Sequence, residues 1–263
     1  MKLIATFNTN SIRARQGLIS KWLKSTGCHL LSIQETKVQD KDFPVSTFEE
    51  LGYHTYFKGQ KSYNGVAIVS KEPLKEVSFG FDDGQDTEED LARLIRAQWD
   101  GFYIINVYAP QGRALDHPNF TKKLLWYDRL LECLERAYKP TMPIFIMGDF
   151  NCAPEPIDVY APERKKDHVC FHESVREAFK RLLGWGLVDC FRAFDPSPNK
   201  YTFYDYRVPK AVHRGLGWRI DHILATEVAL GHVKECYIDL EPRLWERPSD
   251  HTFLCATVRS GVY

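Results

Sequence analysis

Asp149 and Asn151 close a short apolar run, Ile144-Phe145-Ile146-Met147-Gly148-Asp149-Phe150-Asn151. On an extended backbone alternate side chains share a face, so this acid and amide leave the strand's carboxyl end pointing the same way. That edge is where open α/β sheets bind ligands. A carboxylate that can position or deprotonate a water, beside an amide that can donate to a phosphate, suits phosphoester chemistry. Gly148-Asp149-Phe150-Asn151 could also be a polar turn. Five further segments have a similar form. Phe7-Asn8-Thr9-Asn10 places two amides on one side, and Gln34-Glu35-Thr36-Lys37 ends a strand in a carboxylate. Tyr108 precedes a proline turn, and Asp250-His251 opens the last strand. Gly217-Trp218-Arg219-Ile220-Asp221-His222 sets a carboxylate inside a strand. Each has a plainer reading: Asn8 and Asn10 as helix caps, Glu35 as a surface partner of Lys37, Tyr108 as a core tyrosine. Asp221, between Ile220 and Ile223, needs a partner if buried.

The elements that must hold these side chains follow from periodicity. Strands are expected at Leu3–Phe7, His29–Ile33, Tyr53–Phe57, Val66–Ser70, Leu94–Trp99, Tyr103–Tyr108, Tyr201–Tyr204, Arg219–Ala225, Val233–Ile238 and Thr252–Val258, besides the run at Ile144. Helices are expected over Ile12–Ser25, His117–Tyr138 and Glu173–Leu183. The middle one has Phe120, Leu124, Tyr127, Leu131, Leu134 and Tyr138 on one face. The acidic run Asp82–Asp90 reads as a solvated surface loop. Strands mixed with helices, without strict βα alternation, predict an α/β (α+β) protein of two packed sheets flanked by helices. No low-complexity linker interrupts the chain, so residues 1–263 are expected to form one domain.

Composition is that of an ordinary globular protein, 44% hydrophobic and 27% charged. Lysine plus arginine equal aspartate plus glutamate at 35 each. That balance argues against a simple DNA coat protein, and leaves room for an acidic centre ringed by basic residues. The seven cysteines are scattered, with no C-x-x-C pair, as expected of reduced, mostly buried thiols. His168, Cys170 and His172 cluster without a fourth zinc ligand at a recognisable spacing. No signal peptide or membrane span is read, so a soluble, cytoplasmic protein is expected, and it is expected to act as a monomer.

Taken together in order, FNTNSIR, QETK, NVYAPQG, GDFN, GWRID and SDH resemble the exonuclease III family of abasic-site DNA endonucleases. That family is part of the endonuclease/exonuclease/phosphatase superfamily, and the likeness runs from Asn8 to His251. It implies a DNase I-like four-layer α/β sandwich, hydrolysis of DNA 5′ to abasic sites, 3′→5′ exonuclease and 3′-phosphatase activities, and Mg2+, with Mn2+ as a substitute. Glu35 then matches the magnesium ligand, with Asn10, Asp149, Asn151 and Asp250 as further candidates. Asp149 would activate water and Asn151 hold water or phosphate in line. His251 oriented by Asp221, together with Asn8 and Tyr108, would donate to phosphate oxygens. Trp218 and Phe203 would wall the pocket for an extruded abasic sugar, which flips out cheaply because it has no stacked base. Arg13, Gln111, Arg207, Arg214 and Arg219 would line the duplex-binding rim. His222 stands where the family more often carries tyrosine, and alternation should turn it away from Asp221. Rival readings are a superfamily phosphatase on inositol phosphates or lipids, a secreted DNase I-like nuclease, and an inactive DNA-binding module.

Overall fold

The computed structural model describes residues 1–261. Its strands form two six-stranded sheets. Four strands of the first sheet come first: β1 (Lys2–Asn8), β2 (Leu30–Gln34), β3 (His54–Lys58) and β4 (Val66–Ser70). The second sheet follows as β5 (Lys75–Phe79), β6 (Leu94–Trp99), β7 (Phe102–Tyr108), β8 (Ile144–Asp149), β9 (Leu187–Asp189) and β10 (Asp221–Thr226). The chain then returns to the first sheet with β11 (Val233–Asp239) and β12 (Phe253–Val258). Strand orders are β11-β12-β1-β2-β4-β3 and β5-β6-β7-β8-β10-β9.

Helices α1 (Ile12–Thr26) and α2 (Val45–Glu49) bury Ile19, Trp22, Leu23 and Phe48 against the outer face of the first sheet. The single turn α3 (Glu88–Leu91) precedes β6. Helices α4 (Pro118–Ala137) and α5 (Glu173–Gly184) cover the second sheet with Trp126, Leu130, Leu134, Phe179 and Leu182. Ile4, Leu30, Ile68, Ile104, Phe145, Met147, Ile223 and Leu254 fill the space between the sheets. The result is helix, sheet, sheet, helix. No described helix is long and apolar enough to cross a membrane.

Alternation along these strands places the polar residues. Ile4 points between the sheets, so Asn8, four residues on, does too. Met147 and Ile223 do the same for Asp149 and Asp221. The parallel pairs β1–β2 and β7–β8 bring four carboxyl ends to one edge, in registers that set Asn8 beside Gln34 and Tyr108 beside Asp149. Antiparallel β10 sets Asp221 opposite Asp149. One layer below, the Gln34 amide donates to Asn106 Oδ1 at 2.7 Å, tying the two sheets together beneath that edge. Gly148 permits the approach of β8 to β7, since a Cβ there would lie 2.0 Å from the Val107 carbonyl oxygen.

The short helices α2 and α3 have no counterpart in the sequence reading, and four further departures from it concern strands and charge. Tyr201–Tyr204 is not a strand, because its hydrogen bonds are divided between Trp218 on one side and Asp250 and Thr252 on the other. It bridges two segments instead of joining a ladder. Arg219 and Ile220 likewise precede β10. The polar edge strand β5 and three-residue β9 have no clear periodic signal. The acidic run is solvated only in part: Asp82, Glu88 and Glu89 are exposed, while Asp83, Asp86 and Asp90 surround the Arg129 guanidinium at 2.8, 3.0 and 3.1 Å. All seven cysteines are free and buried.

Candidate active site

At the shared strand edge a cavity of about 560 Å³ opens, with Glu35, Tyr108, Asp149, Asn151, Asp250 and His251 among its polar lining. Asn8 binds the acids together. Its Nδ2 donates to Glu35 Oε1 and to Asp149 Oδ2, both at 2.8 Å, while its Oδ1 accepts the Asn10 N–H at 2.9 Å. Asp149 Oδ1 accepts the Asn151 backbone N–H at 2.8 Å, and the Asn151 amide donates to the Ala109 carbonyl at 2.9 Å. His251 hydrogen-bonds Asp221 Oδ2 through Nδ1 at 2.8 Å, and its Nε2 lies 3.9 Å from Asp149 Oδ2. To reach these places the chain bends sharply: Asn10, Glu35 and Asn151 have φ of 44°, 51° and 49°. Left-handed backbone at three non-glycine residues beside one cavity is the kind of strain that functional sites hold.

The electrostatics separate the acids. Burial pushes Asp149 up to about 7, aided by the nearby charges of Asp221 and Glu35 and opposed by His251. Burial also favours a protonated Glu35, but the Lys37 ammonium at 2.8 Å and the Asn8 amide outweigh it and hold that carboxyl below its usual range. Burial would lower His251, yet Asp221 beside it raises the imidazole to about 10. The cavity thus pairs a carboxylate near neutrality, suited to accept a proton, with an imidazolium, suited to donate hydrogen bonds. Ligand atoms of Glu35, Asp149 and His251 lie within 4.8 Å of one another, the group among the described residues with metal-binding spacing. Lys37 Nζ donates to Asn10 Oδ1 at 2.6 Å as well as to Glu35, so this oxygen pair already accommodates a positive charge. Oxygen donors of this type fit a hard divalent cation.

Residues 5–251 match the endonuclease/exonuclease/phosphatase family. The chain is 35% identical to exodeoxyribonuclease III of Haemophilus influenzae, over 95% of this chain and 97% of that one. The chain belongs to that family. It is an exonuclease III-type hydrolase. An AP endonuclease structure from Archaeoglobus fulgidus superposes with a TM-score of 0.95 at 47% identity, covering 98% of this chain and 99% of the other. A Neisseria 3′ phosphatase bound to a product DNA hairpin gives 0.92 at 35% identity, covering 98% and 100%. These neighbours share the two-sheet, DNase I-like architecture.

Within this exonuclease III-type site, Phe203 stands at 5.0 Å from the His251 ring, centroid to centroid. Trp218 is buried, packed on His168 at 4.4 Å, and lines the same cavity. Gln111 and Arg207 are on its rim, with Arg207 paired to Asp205 at 2.7 Å. Asn10 and Asp250 are joined at 3.1 Å beside it. Exposed Arg214 and Arg13 lie outside it, Arg13 in a separate groove beside Trp245 and Arg247. Two expectations change. Arg219 is not on a DNA-binding rim: it is fully buried, bound to Asp158 at 2.7 Å and Asp189 at 2.7 Å. Asn8, expected to donate to phosphate, has its amide nitrogen committed to Glu35 and Asp149. His222 does face away from Asp221, between Arg219 Nη1 at 2.9 Å and the Cys152 carbonyl at 2.8 Å. His168 accepts the Cys170 N–H and His172 caps α5.

Lys123 escaped the sequence reading, although a lysine within the apolar stripe of α4 was a visible signal. Its buried ammonium donates to the carbonyls of Gln111, Asn151 and Val169 at 3.2, 2.7 and 2.6 Å, clamping three loops that border the cavity. Burial pushes its pKa down. Lys123→Met strands two buried acceptors, the Asn151 and Val169 carbonyls, each worth about 1–3 kcal/mol, and loses the longer bond to exposed Gln111. Allowing for relaxation, we expect a total loss of about 1–3 kcal/mol and a thermal midpoint lower by roughly 2–10 °C. An unchanged midpoint would show that the loops hold without the clamp.

Proposed function

We propose that this chain hydrolyses the phosphodiester 5′ to abasic sites in duplex DNA and also processes 3′ ends, with Mg2+ as its metal, acting as a cytoplasmic monomer. The observation that carries this reading is the union of two chemistries in one cavity. Its polar side holds Glu35, Asp149 and His251, and its apolar side holds Phe203, Leu216 and Trp218. An apolar wall next to a hydrolytic centre suits an extruded sugar without a base. The names of the relatives, an exodeoxyribonuclease III, an AP endonuclease and a 3′ phosphatase, support the same substrate class.

In this reading Asp149 takes a proton from water as the water attacks phosphorus. Asn151, with its amide held by Ala109, keeps the attack in line. The His251 imidazolium, fixed by Asp221, and the Tyr108 hydroxyl donate to the non-bridging oxygens as negative charge builds. The P–O3′ bond breaks and the departing O3′ takes a proton from solvent, leaving a 3′ hydroxyl and a 5′-phosphate on the abasic residue. Mg2+ held by Glu35, with Asp149, Asn151, Asn10 and Asp250 as neighbouring donors, would supply charge neutralisation at the phosphate and the departing oxygen.

The test is a side-by-side assay on duplexes carrying an abasic site, a 3′-phosphate, a uracil or no lesion. Abasic-site incision should exceed incision of undamaged duplex by about tenfold or more, as a saving of ~1.4 kcal/mol in base unstacking requires. Excess EDTA should abolish it. Cleavage that persists in EDTA removes the metal from the mechanism, and equal rates on all four substrates remove the lesion pocket.

A further inference from the structure

Tyr108 lines the cavity, and a cation lies over its ring. The Arg93 guanidinium carbon lies 4.7 Å from the centroid of the Tyr108 ring. Arg93 Nη1 donates to the Tyr108 carbonyl at 3.1 Å, and the Tyr108 N–H donates to the Arg93 carbonyl at 2.8 Å. The remaining donors, Nε and Nη2, both go to Glu89 Oε1, at 3.1 and 2.8 Å. Arg93 is only 7% exposed, so it has few other positions to adopt.

Glu89 is itself held. It sits on α3, whose N-cap Thr87 and Asp90 bond reciprocally in a capping box. The acidic segment that contains this turn encloses Arg129 of α4 through Asp83, Asp86 and Asp90. Two charge-assisted clusters, Arg129 with its acids and Arg93 with Glu89, are therefore joined through the backbone of α3, and the second ends on Tyr108.

We propose that Arg93 is a positioning residue for phosphodiester hydrolysis: fixed by Glu89, it locks the Tyr108 ring in the cavity and polarises its O–H toward a phosphate oxygen. A phenol gains electron density in its ring as it donates to an anion, and a cation over the ring face favours that shift. The acidic segment serves as the mount for this cation. The proposal rests on the reading that Tyr108 donates to the scissile phosphate.

A double-mutant cycle on single-turnover incision of an abasic duplex with Mg2+ tests it. Arg93→Ala should slow the chemical step by about 2- to 30-fold, the range a cation–π contact converts to. Tyr108→Phe should cost about a hundredfold. The double variant should be no slower than Tyr108→Phe alone, because the two act through one hydroxyl. About 50 mM guanidinium, far below the molar range that unfolds proteins, should restore part of the Arg93→Ala rate. It should restore nothing in the double variant, and matched NaCl should restore neither. Losses that multiply in the double variant would overturn the proposal while leaving Tyr108's role intact. A wild-type rate in Tyr108→Phe would overturn both that role and this proposal. If Arg93→Ala does not fold, Glu89→Gln replaces it in the cycle: a few-fold loss that disappears in the Tyr108→Phe background supports the proposal, and a loss that persists there defeats it.

Discussion

Asp149→Asn should reduce incision of an abasic duplex by about 10²- to 10⁴-fold, the range for removal of a general base, while the variant stays folded and still binds the duplex. The substitution keeps the shape of the side chain and removes the proton acceptor. It also removes a buried charge that Asp221 and Glu35 repel, the repulsion that helps push Asp149 up to about 7. One hydrogen bond is lost in exchange, because an amide nitrogen at the Oδ2 position would meet the Asn8 donor that lies at 2.8 Å. These effects oppose each other, so the thermal midpoint should move little. Activity and stability should therefore separate, as they do where a site carries electrostatic strain for function. Single-turnover rates, a duplex-binding titration and a thermal melt on the same preparation give the three readings. A rate within tenfold of wild type would remove Asp149 as the base. A collapsed melting curve would make the residue structural instead.

How far this site was visible in the sequence depends on what kind of fact each residue represents. Strand ends were legible because period-two alternation and abrupt polarity are local. Val66–Ser70 and Leu94–Trp99 match the observed strands in full, and the inward placement of Asp149 and Asp221 follows from counting back to Met147 and Ile223. What joins one strand end to another is not local. Nothing between Asn8 and Asp149 reveals that one amide will donate to acids from both sheets. The acidic run looked solvated because its partner, Arg129, lies on a helix some forty residues away. Arg219 misled for the same reason: an arginine beside a tryptophan in a basic loop has the composition of a nucleic-acid contact. Its acids, Asp158 and Asp189, come from segments that only the fold brings near.

Arg219→Met should be the most destabilising of these substitutions, costing about 3–5 kcal/mol at neutral pH, because it removes one partner from a buried ionic network. The guanidinium bonds both oxygens of Asp158, at 2.7 and 3.0 Å, and Asp189 at 2.7 Å. Methionine fills similar space and leaves Asp158 with Arg192, at 2.5 Å, and Asp189 with His222, at 3.6 Å. Burial would raise both carboxyls, but Arg219 and its neighbours hold them below their usual range. A folded-state pKa below the unfolded value of about 4 contributes stability that is complete above that pH and fades as acid titrates the folded state. In the variant the sign reverses for any carboxyl that burial now raises, since protonation then favours the folded form. The gap between wild type and variant should therefore be widest near pH 7–8 and narrow toward pH 4. Urea unfolding across that range measures it directly. A gap below about 1 kcal/mol, or one indifferent to pH, would mean that the network is not held together by charge. The consequence reaches the cavity, because Arg219 lies between Trp218 on the apolar wall and Asp221 behind His251. Its backbone N–H donates to the Asp158 carbonyl at 2.8 Å, which fixes this segment where β10 begins. Loss of the network should thus loosen the wall and the imidazole together, and a residue that never meets DNA would still govern how well the cavity accepts it.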